Sequence, residues 1–351
     1  MKNSIKNYKE SMKKINNLEN KFILIQLYAG FGNKIFDIII GLYLKINFGY
    51  NIYYVDTTSA HIKSTDPKIK DIFQKLSNEF IFISDEEGDY IQHVLKYKLF
   101  NPKNINNLQQ LNNHFTINQI KLRTTVLYHL VFDMYNTFDS SIKNLFDINQ
   151  NLILDDILSY TKTNYAIIHI RYGDKLNLAI DKDNLIYKDN FDFNKGFNFI
   201  SFPIYTPDYY YKQILQIKKL KLPIVILTDS VDIVKYFIIN KYNLENDPDI
   251  FIPNINFINS FYLMLYSNFT VMSHSTFSYS SYLLSKNLNK KEKTYIFCYT
   301  KEFLTKYKPI DLIISNNWKL IDDKKYILNF NQKLVNEMNK YKLDNESTKK
   351  I

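Results

Sequence analysis

Short, uninterrupted apolar runs alternate along this chain with stretches of helical spacing. Phe22 to Tyr28, Asn51 to Asp56, Phe80 to Ser84, Tyr165 to Ile170, Pro223 to Leu227 and Phe269 to Met272 show no regular polar face. That is the pattern of strands covered on both sides in a parallel sheet. Between them the spacing predicts helices over about Ile35 to Phe48, over Pro67 to Leu76 with Ile69, Ile72, Phe73 and Leu76 on one face, and over about Leu122 to Tyr135. Further helices are expected from Thr206, over Val231 to Tyr242, around Leu263-Met264, and after His274. Thr206-Pro207-Asp208 is a helix start: a capping hydroxyl, a proline at the first position and a carboxylate in the first turn. Alternation of the two element types predicts an α/β fold.

Length divides the picture in two. A chain of 351 residues exceeds the size at which one core keeps growing. The expected parts are a mobile segment 1–20, an N-terminal lobe 21–150, a C-terminal lobe 151–321, and a C-terminal helix with a mobile charged tail over 322–351. Residues 88–149 are patterned least clearly.

Charge and cysteine content narrow the classes of function. The net charge is +10, yet the lysines are scattered and no nucleic-acid signature appears, so a solvated surface is favoured over a nucleic-acid groove. The positive balance also suits steering of an anionic small molecule. Cys298 is the single cysteine, so no intrachain disulfide forms, which favours a reducing, cytoplasmic setting. The polar first 20 residues hold no signal-peptide core, and no apolar run is long enough for a membrane span. The wealth of Lys, Asn, Ile, Tyr and Phe points to AT-rich coding rather than to chemistry.

Candidate chemistry concentrates at strand-to-helix turns. His169, Arg171 and Asp174 follow one buried strand within six positions, around Gly173. A His and an Arg two apart share a strand face, and Arg suits bidentate phosphate recognition. The plainer alternative is a satisfied core histidine beside an Arg–Asp pair. Gly30 and Gly32 allow close backbone approach ahead of a helix N-terminus, where the Asn33 amide either meets a ligand or caps the helix. Asp229 ends another strand and either touches a ligand or caps the helix after it. Ser275, Thr276 and Ser278 open a helix, as an anion cradle or as ordinary caps. Asp181-x-Asp183 and Asp247-x-Asp249 have the spacing of a metal motif without a leading apolar strand, and read as loop carboxylates.

Four segments together resemble the α-1,2-fucosyltransferase family, glycosyltransferase family 11-like in its soluble form. They are Gly30-x-Gly32-Asn33-x-x-Phe36; His169-x-Arg171-x-Gly173-Asp174; the order Tyr-Tyr helix, strand, Asp229; and Leu263-Met264 followed by a strand and Ser275-Thr-Phe-Ser278. With the segments Tyr295 to Lys301 and Trp318-x-x-Ile321, the likeness spans about residues 22–321. It implies a two-lobed GT-B fold, an N-terminal acceptor lobe and a C-terminal donor lobe. It also implies metal-independent, inverting transfer of fucose from GDP-fucose to a glycan hydroxyl. Arg171, the only arginine of the donor lobe, would stabilise the departing diphosphate, with His169 assisting; Asp174 would act as base or orient Arg171. Gly30, Gly32, Asn33, Asp229, Ser275, Thr276 and Ser278 would line the donor site. The chain departs from the family at His274 in place of Asn, at Asn259-Ser260 where an acidic residue is usual, and at Tyr172 where many relatives carry a second Arg. Another nucleotide sugar, a protein hydroxyl acceptor, or a non-catalytic basic nucleic-acid- or glycan-binding role are the competing readings.

Overall fold

The computed structural model describes residues 22–27, 30–55, 69–79, 81–83, 98–100, 105, 107–112, 119–122, 127, 130–173, 176, 204–273, 275–285, 295–297, 318–320, 326 and 331–348. The chain forms two units, Met1–Leu152 and Ile153–Ile351.

Unit 1 runs β1 (Phe22–Gln26), α1 (Phe31–Phe48), β2 (Asn51–Val55), α2 (Ile69–Ile72), β3 (Ile81–Ile83), β4 (Lys98–Phe100), α3 (Leu108–Asn112), β5 (Gln119–Leu122), α4 (Val131–Asn136) and α5 (Ser140–Lys143). Its described strands pair in parallel in the order β3-β2-β1-β5-β4. Central β1 buries Phe22, Ile23, Leu24 and Ile25 together, which is why its sequence shows no alternation.

Helix α1 begins four residues earlier than its apolar spacing suggests. The Gly30 carbonyl accepts from the N–H groups of Asn33 and Lys34 and so starts the helix directly after the turn. At the other end Gly49 takes the left-handed conformation, φ 67°, and donates its N–H to the Lys45 carbonyl. Glycine suits that position because a side chain there would be strained.

Two expected elements of unit 1 differ in the structure. The Pro67 to Leu76 helix is a single α-turn, Ile69–Ile72, followed by a 3₁₀ segment, Gln74–Asn78; Ile69, Ile72, Phe73 and Leu76 are all buried nonetheless. Of the helix expected over Leu122 to Tyr135, the described residues show an α-helix at Val131–Asn136, and Leu122 ends strand β5. Strands β4 and β5 were not foreseen. At three and four residues they are too short to show a period, and pairing with β1 and with each other defines them.

Unit 2 runs α6 (Asp155–Tyr160), β6 (Ala166–Ile170), α7 (Pro207–Lys219), β7 (Ile224–Thr228), α8 (Val231–Val234), β8 (Ile250–Phe251), α9 (Phe257–Tyr266), β9 (Phe269–Val271), α10 (Thr276–Leu283), β10 (Tyr295–Phe297), β11 (Trp318–Leu320) and α11 (Gln332–Thr348). The described strands are parallel in the order β11-β10-β9-β6-β7-β8. The chain works outward from β6 through β7 to β8, then returns to β9 on the other side of β6. This is the doubly wound order, and the β6–β9 boundary is its switch point, where ligands bind beyond the strands' carboxyl ends.

Helix α7 starts as expected: Thr206 Oγ accepts from the Tyr209 N–H, and Pro207 is the first helical residue. The helix expected over Val231 to Tyr242 changes character after Val234, continuing as a π-helix over Lys235–Asn240. The sequence leads one to expect a mobile charged tail after Lys340. Helix α11 instead continues to Thr348, buries Val335 and Met338, and stacks Tyr341 on Tyr236 at 4.3 Å between ring centroids. Among the described residues no helix is long and apolar enough to cross a membrane. Two Rossmann-like units in one chain, each with a parallel sheet, give the α/β fold class expected from the sequence.

Candidate functional site

Strand β6 divides its side chains between two faces. Ala166, Ile168, Ile170 and Tyr172 enter the main apolar core of unit 2, where the Tyr172 hydroxyl donates to the Tyr205 carbonyl. Alternation therefore sends His169 and Arg171 to the other side. That side meets the segment leaving β9.

His169 is buried, with Nδ1 at 2.6 Å from Ser278 Oγ and 2.8 Å from Ser273 Oγ. Those hydroxyls lie 3.4 Å apart, and the Phe277 ring sits 5.4 Å from the imidazole. Burial, and then the charge of Arg171, lower the His169 pKa from 6.5 to about 3. The imidazole is therefore neutral at physiological pH and acts here by hydrogen bonding, not as a cation.

A stability signature follows. Between about 3 and 6.5 the unfolded chain binds a proton that folded His169 does not. Stability from this site is complete above the upper value and declines as pH falls below it, with a slope of up to about 1.4 kcal/mol per pH unit. His169→Gln is expected to flatten denaturant-derived stability against pH across this window. An unchanged slope in the variant would remove the buried neutral histidine from the account.

Arg171 is half-buried and donates from its guanidinium to Ser275 Oγ at 2.9 Å. The same Oγ accepts from the Phe277 N–H at 3.2 Å as the cap of α10, and Thr276 is the first residue of that helix. One hydroxyl thus both caps α10 and accepts from the guanidinium, which ties Arg171 to a helix N-terminus. Both groups favour anions.

The capping role foreseen for Asp229 is corrected. Ser230 occupies the cap position of α8 and makes no side-chain cap bond. Asp229 Oδ1 instead accepts from the backbone N–H groups of Tyr172 at 3.1 Å and Gly173 at 2.9 Å, and from Ser230 Oγ at 3.2 Å. The carboxylate at the end of β7 thereby holds the turn after Arg171. Gly173 is needed there for space, since a Cβ would lie 2.6 Å from Asp229 Oδ2.

His169, Arg171, Asp229, Ser275, Thr276 and Ser278 are thus brought to the carboxyl ends of β6, β7 and β9 in unit 2. In unit 1, Gly30 is the cap of α1, and Gly32 and Asn33 lie in its first helical turn. Asn33 does not take the cap position, which is Gly30, and the space where a Gly30 Cβ would stand is open. Asp174, Asp181, Asp183, His274 and Cys298 lie outside the described residues.

Asn259 is buried, accepting the Leu154 N–H at 2.9 Å and donating to Asn256 Oδ1 at 2.9 Å. It anchors α9 to the start of α6. Asp247 pairs with Lys218 and accepts from the Asp249 N–H, in keeping with a loop carboxylate. Two contributors escaped the sequence reading. Ser273 was legible as the residue two before Ser275 at a strand's end. Lys342, whose Nζ lies 3.2 Å from the Gly173 carbonyl, carried no local signal.

No family model matches the chain. In sequence it is similar to protein Ycf2 of Physcomitrium patens, at 27% identity over 305 residues covering 78% of this chain. The chain spans only 12% of the length of that protein. In structure it is similar to POFUT1 in complex with GDP-fucose, with TM-score 0.43 and 11% identity over 80% of this chain and 98% of that one. It is likewise similar to the α-1,6-fucosyltransferase NodZ co-crystallized with GDP, with TM-score 0.42 and 12% identity over 76% of this chain and 93% of that one.

Proposed function

We propose that the chain is an inverting GT-B glycosyltransferase that moves L-fucose from GDP-fucose to a hydroxyl of a galactoside or other glycan, forming an α-1,2 linkage. The observation that carries this is the Arg171 guanidinium on Ser275 Oγ at the N-terminus of α10, at the β6–β9 switch point. A cation and a helix N-terminus at a doubly wound switch point suit a nucleoside diphosphate. The motif resemblance names fucose and guanosine.

In the reaction the acceptor oxygen attacks the anomeric carbon while the bond from that carbon to the β-phosphate oxygen breaks. The electron pair leaves with GDP, where Arg171 and the N–H groups opening α10 stabilise the growing charge. The acceptor proton passes to a base. Asp174 fills that role or orients Arg171. Asp229 suits it less well, because its Oδ1 already accepts from Tyr172, Gly173 and Ser230. Neutral His169 steadies the site through Ser273 and Ser278. Unit 2 is the donor lobe in this reading, and unit 1, with Gly30, Gly32 and Asn33, the acceptor lobe. The reaction uses no metal and no cofactor, the sugar nucleotide being the donor substrate, and proceeds in the cytoplasm without nucleic acid.

Thermal stabilisation tests the assignment. A ligand present at about 100 times its Kd adds roughly 2.7 kcal/mol to the folded state. GDP is expected to raise the melting temperature by several degrees, with UDP and ADP well behind, and turnover of GDP-fucose is expected to persist in EDTA. Equal stabilisation by all three nucleotides would reject guanine recognition. Activity lost in chelator and restored by manganese would reject the metal-free step. Steeply salt-dependent binding to DNA or RNA, with no GDP affinity, would favour a basic binding protein instead.

A further inference from the structure

Arg171 is the only arginine of unit 2, while a sugar nucleotide carries a charge on each of its phosphates. The neighbouring side chain brings no help, because Tyr172 is buried with its hydroxyl on the Tyr205 carbonyl. A second cation arrives from far along the chain. Lys342, on α11, places Nζ 3.2 Å from the carbonyl oxygen of Gly173, two residues after Arg171 and 169 before the lysine itself.

Its helix is firmly seated. Val335 and Met338 are fully buried in the core of unit 2, and Tyr341, adjacent to the lysine, packs on Tyr236 and edge-on against Phe237 at 5.6 Å. A lysine on such a helix is delivered to the turn by the fold, with most of its ordering already accomplished. It also stands beyond the residues in which the family resemblance lies.

We propose that Lys342 is the second cation of the donor-anion site, supplying beside Arg171 positive charge that a diphosphate requires. This rests on the donor site proposed above. The α11 helix is accordingly part of that site and not only a cover for the core.

The test measures binding of GDP and of inorganic pyrophosphate by calorimetry at low and high salt, with the melting temperature of every variant. Lys342→Gln keeps an N–H donor on a side chain one bond shorter and removes the charge. It is expected to weaken both ligands on the order of tenfold at low salt, with the deficit shrinking as salt rises. Lys342→Arg is expected to bind within about twofold of the natural protein, since the charge is kept. Lys340→Gln, the same charge change at an exposed position of the same helix, controls for net charge. Natural protein that binds GDP together with a Lys342→Gln variant that binds both ligands equally well would overturn this inference alone. A deficit that ignores salt, or that Lys340→Gln reproduces, would also overturn it. Natural protein that binds neither GDP nor pyrophosphate would overturn the donor site itself, and Lys342 with it.

Discussion

Arg171→Lys is expected to lower turnover of GDP-fucose on the order of 100-fold or more while the melting temperature stays near that of the natural protein. Lysine retains the charge but not the planar fork. The guanidinium reaches Ser275 Oγ at 2.9 Å, and its planar fork of N–H groups matches the geometry of phosphate oxygens. An ammonium on a flexible stem cannot hold the hydroxyl and span a diphosphate in one fixed geometry. The alternative is that Arg171 only steadies α10 through its cap. Lysine would then preserve most of the turnover, and alanine would act mainly through stability. Rates and melting temperatures for Arg171→Lys and Arg171→Ala separate the two. A lysine variant of near-native rate, or an alanine variant whose activity loss tracks unfolding, would take Arg171 out of the mechanism.

Gly41→Ala is expected to destabilise unit 1, against the direction that helix propensity alone dictates. In an exposed helix interior the change would stabilise by about 1 kcal/mol. Here a Cβ would stand 1.8 Å from the Tyr54 hydroxyl, 2.8 Å from its Cζ and 3.1 Å from Ile52 Cγ2. Tyr54 has nowhere to retreat: it is fully buried, and its hydroxyl donates to the Ile38 carbonyl at 3.2 Å. Overpacking of this kind costs about 1–3 kcal/mol, and α1 and β2 must move apart to relieve it. Tyr54→Phe removes the nearest atom. It should cost roughly 1 kcal/mol alone, through the lost hydrogen bond, yet recover part of the loss in the Gly41→Ala background. Chemical denaturation of the two single variants and the double variant checks this. A Gly41→Ala protein as stable as the natural one would show that α1 and β2 do not approach so closely.

Both predictions concern contacts that local pattern does not announce. Gly41 sits in an apolar helical run as an unremarked small residue. Its reason lies on β2, in a tyrosine 13 positions later whose side chain occupies the space. Arg171 and Ser275 are each legible as candidate ligands of an anion, but 104 residues separate them. Their meeting depends on β9 returning to lie beside β6.

What the sequence determined by itself is what depends on neighbours in the chain. The apolar runs of β1, β6 and β7 mark strands covered on both faces, because every position in such a strand meets a packed layer. Thr206 and Pro207 begin α7 through one hydroxyl and one fixed φ, and Ser275 opens α10 in the same local way. The α/β class and the concentration of ionisable and hydroxyl groups at strand ends were legible for that reason. Tertiary structure decided what depends on strand order and crossovers. Strands β4 and β5 exist through pairing, and the π-helix after Val234 interrupts a run whose spacing reads as one helix. The roles of two charged residues were settled in the same way. Asp229 turned from a capping candidate into the clamp on Tyr172 and Gly173, and Lys342 moved from an expected loose tail to the carbonyl of Gly173. Each of these needs partners from distant elements at one place. In a parallel sheet only the winding of the chain, which no local period encodes, brings them there.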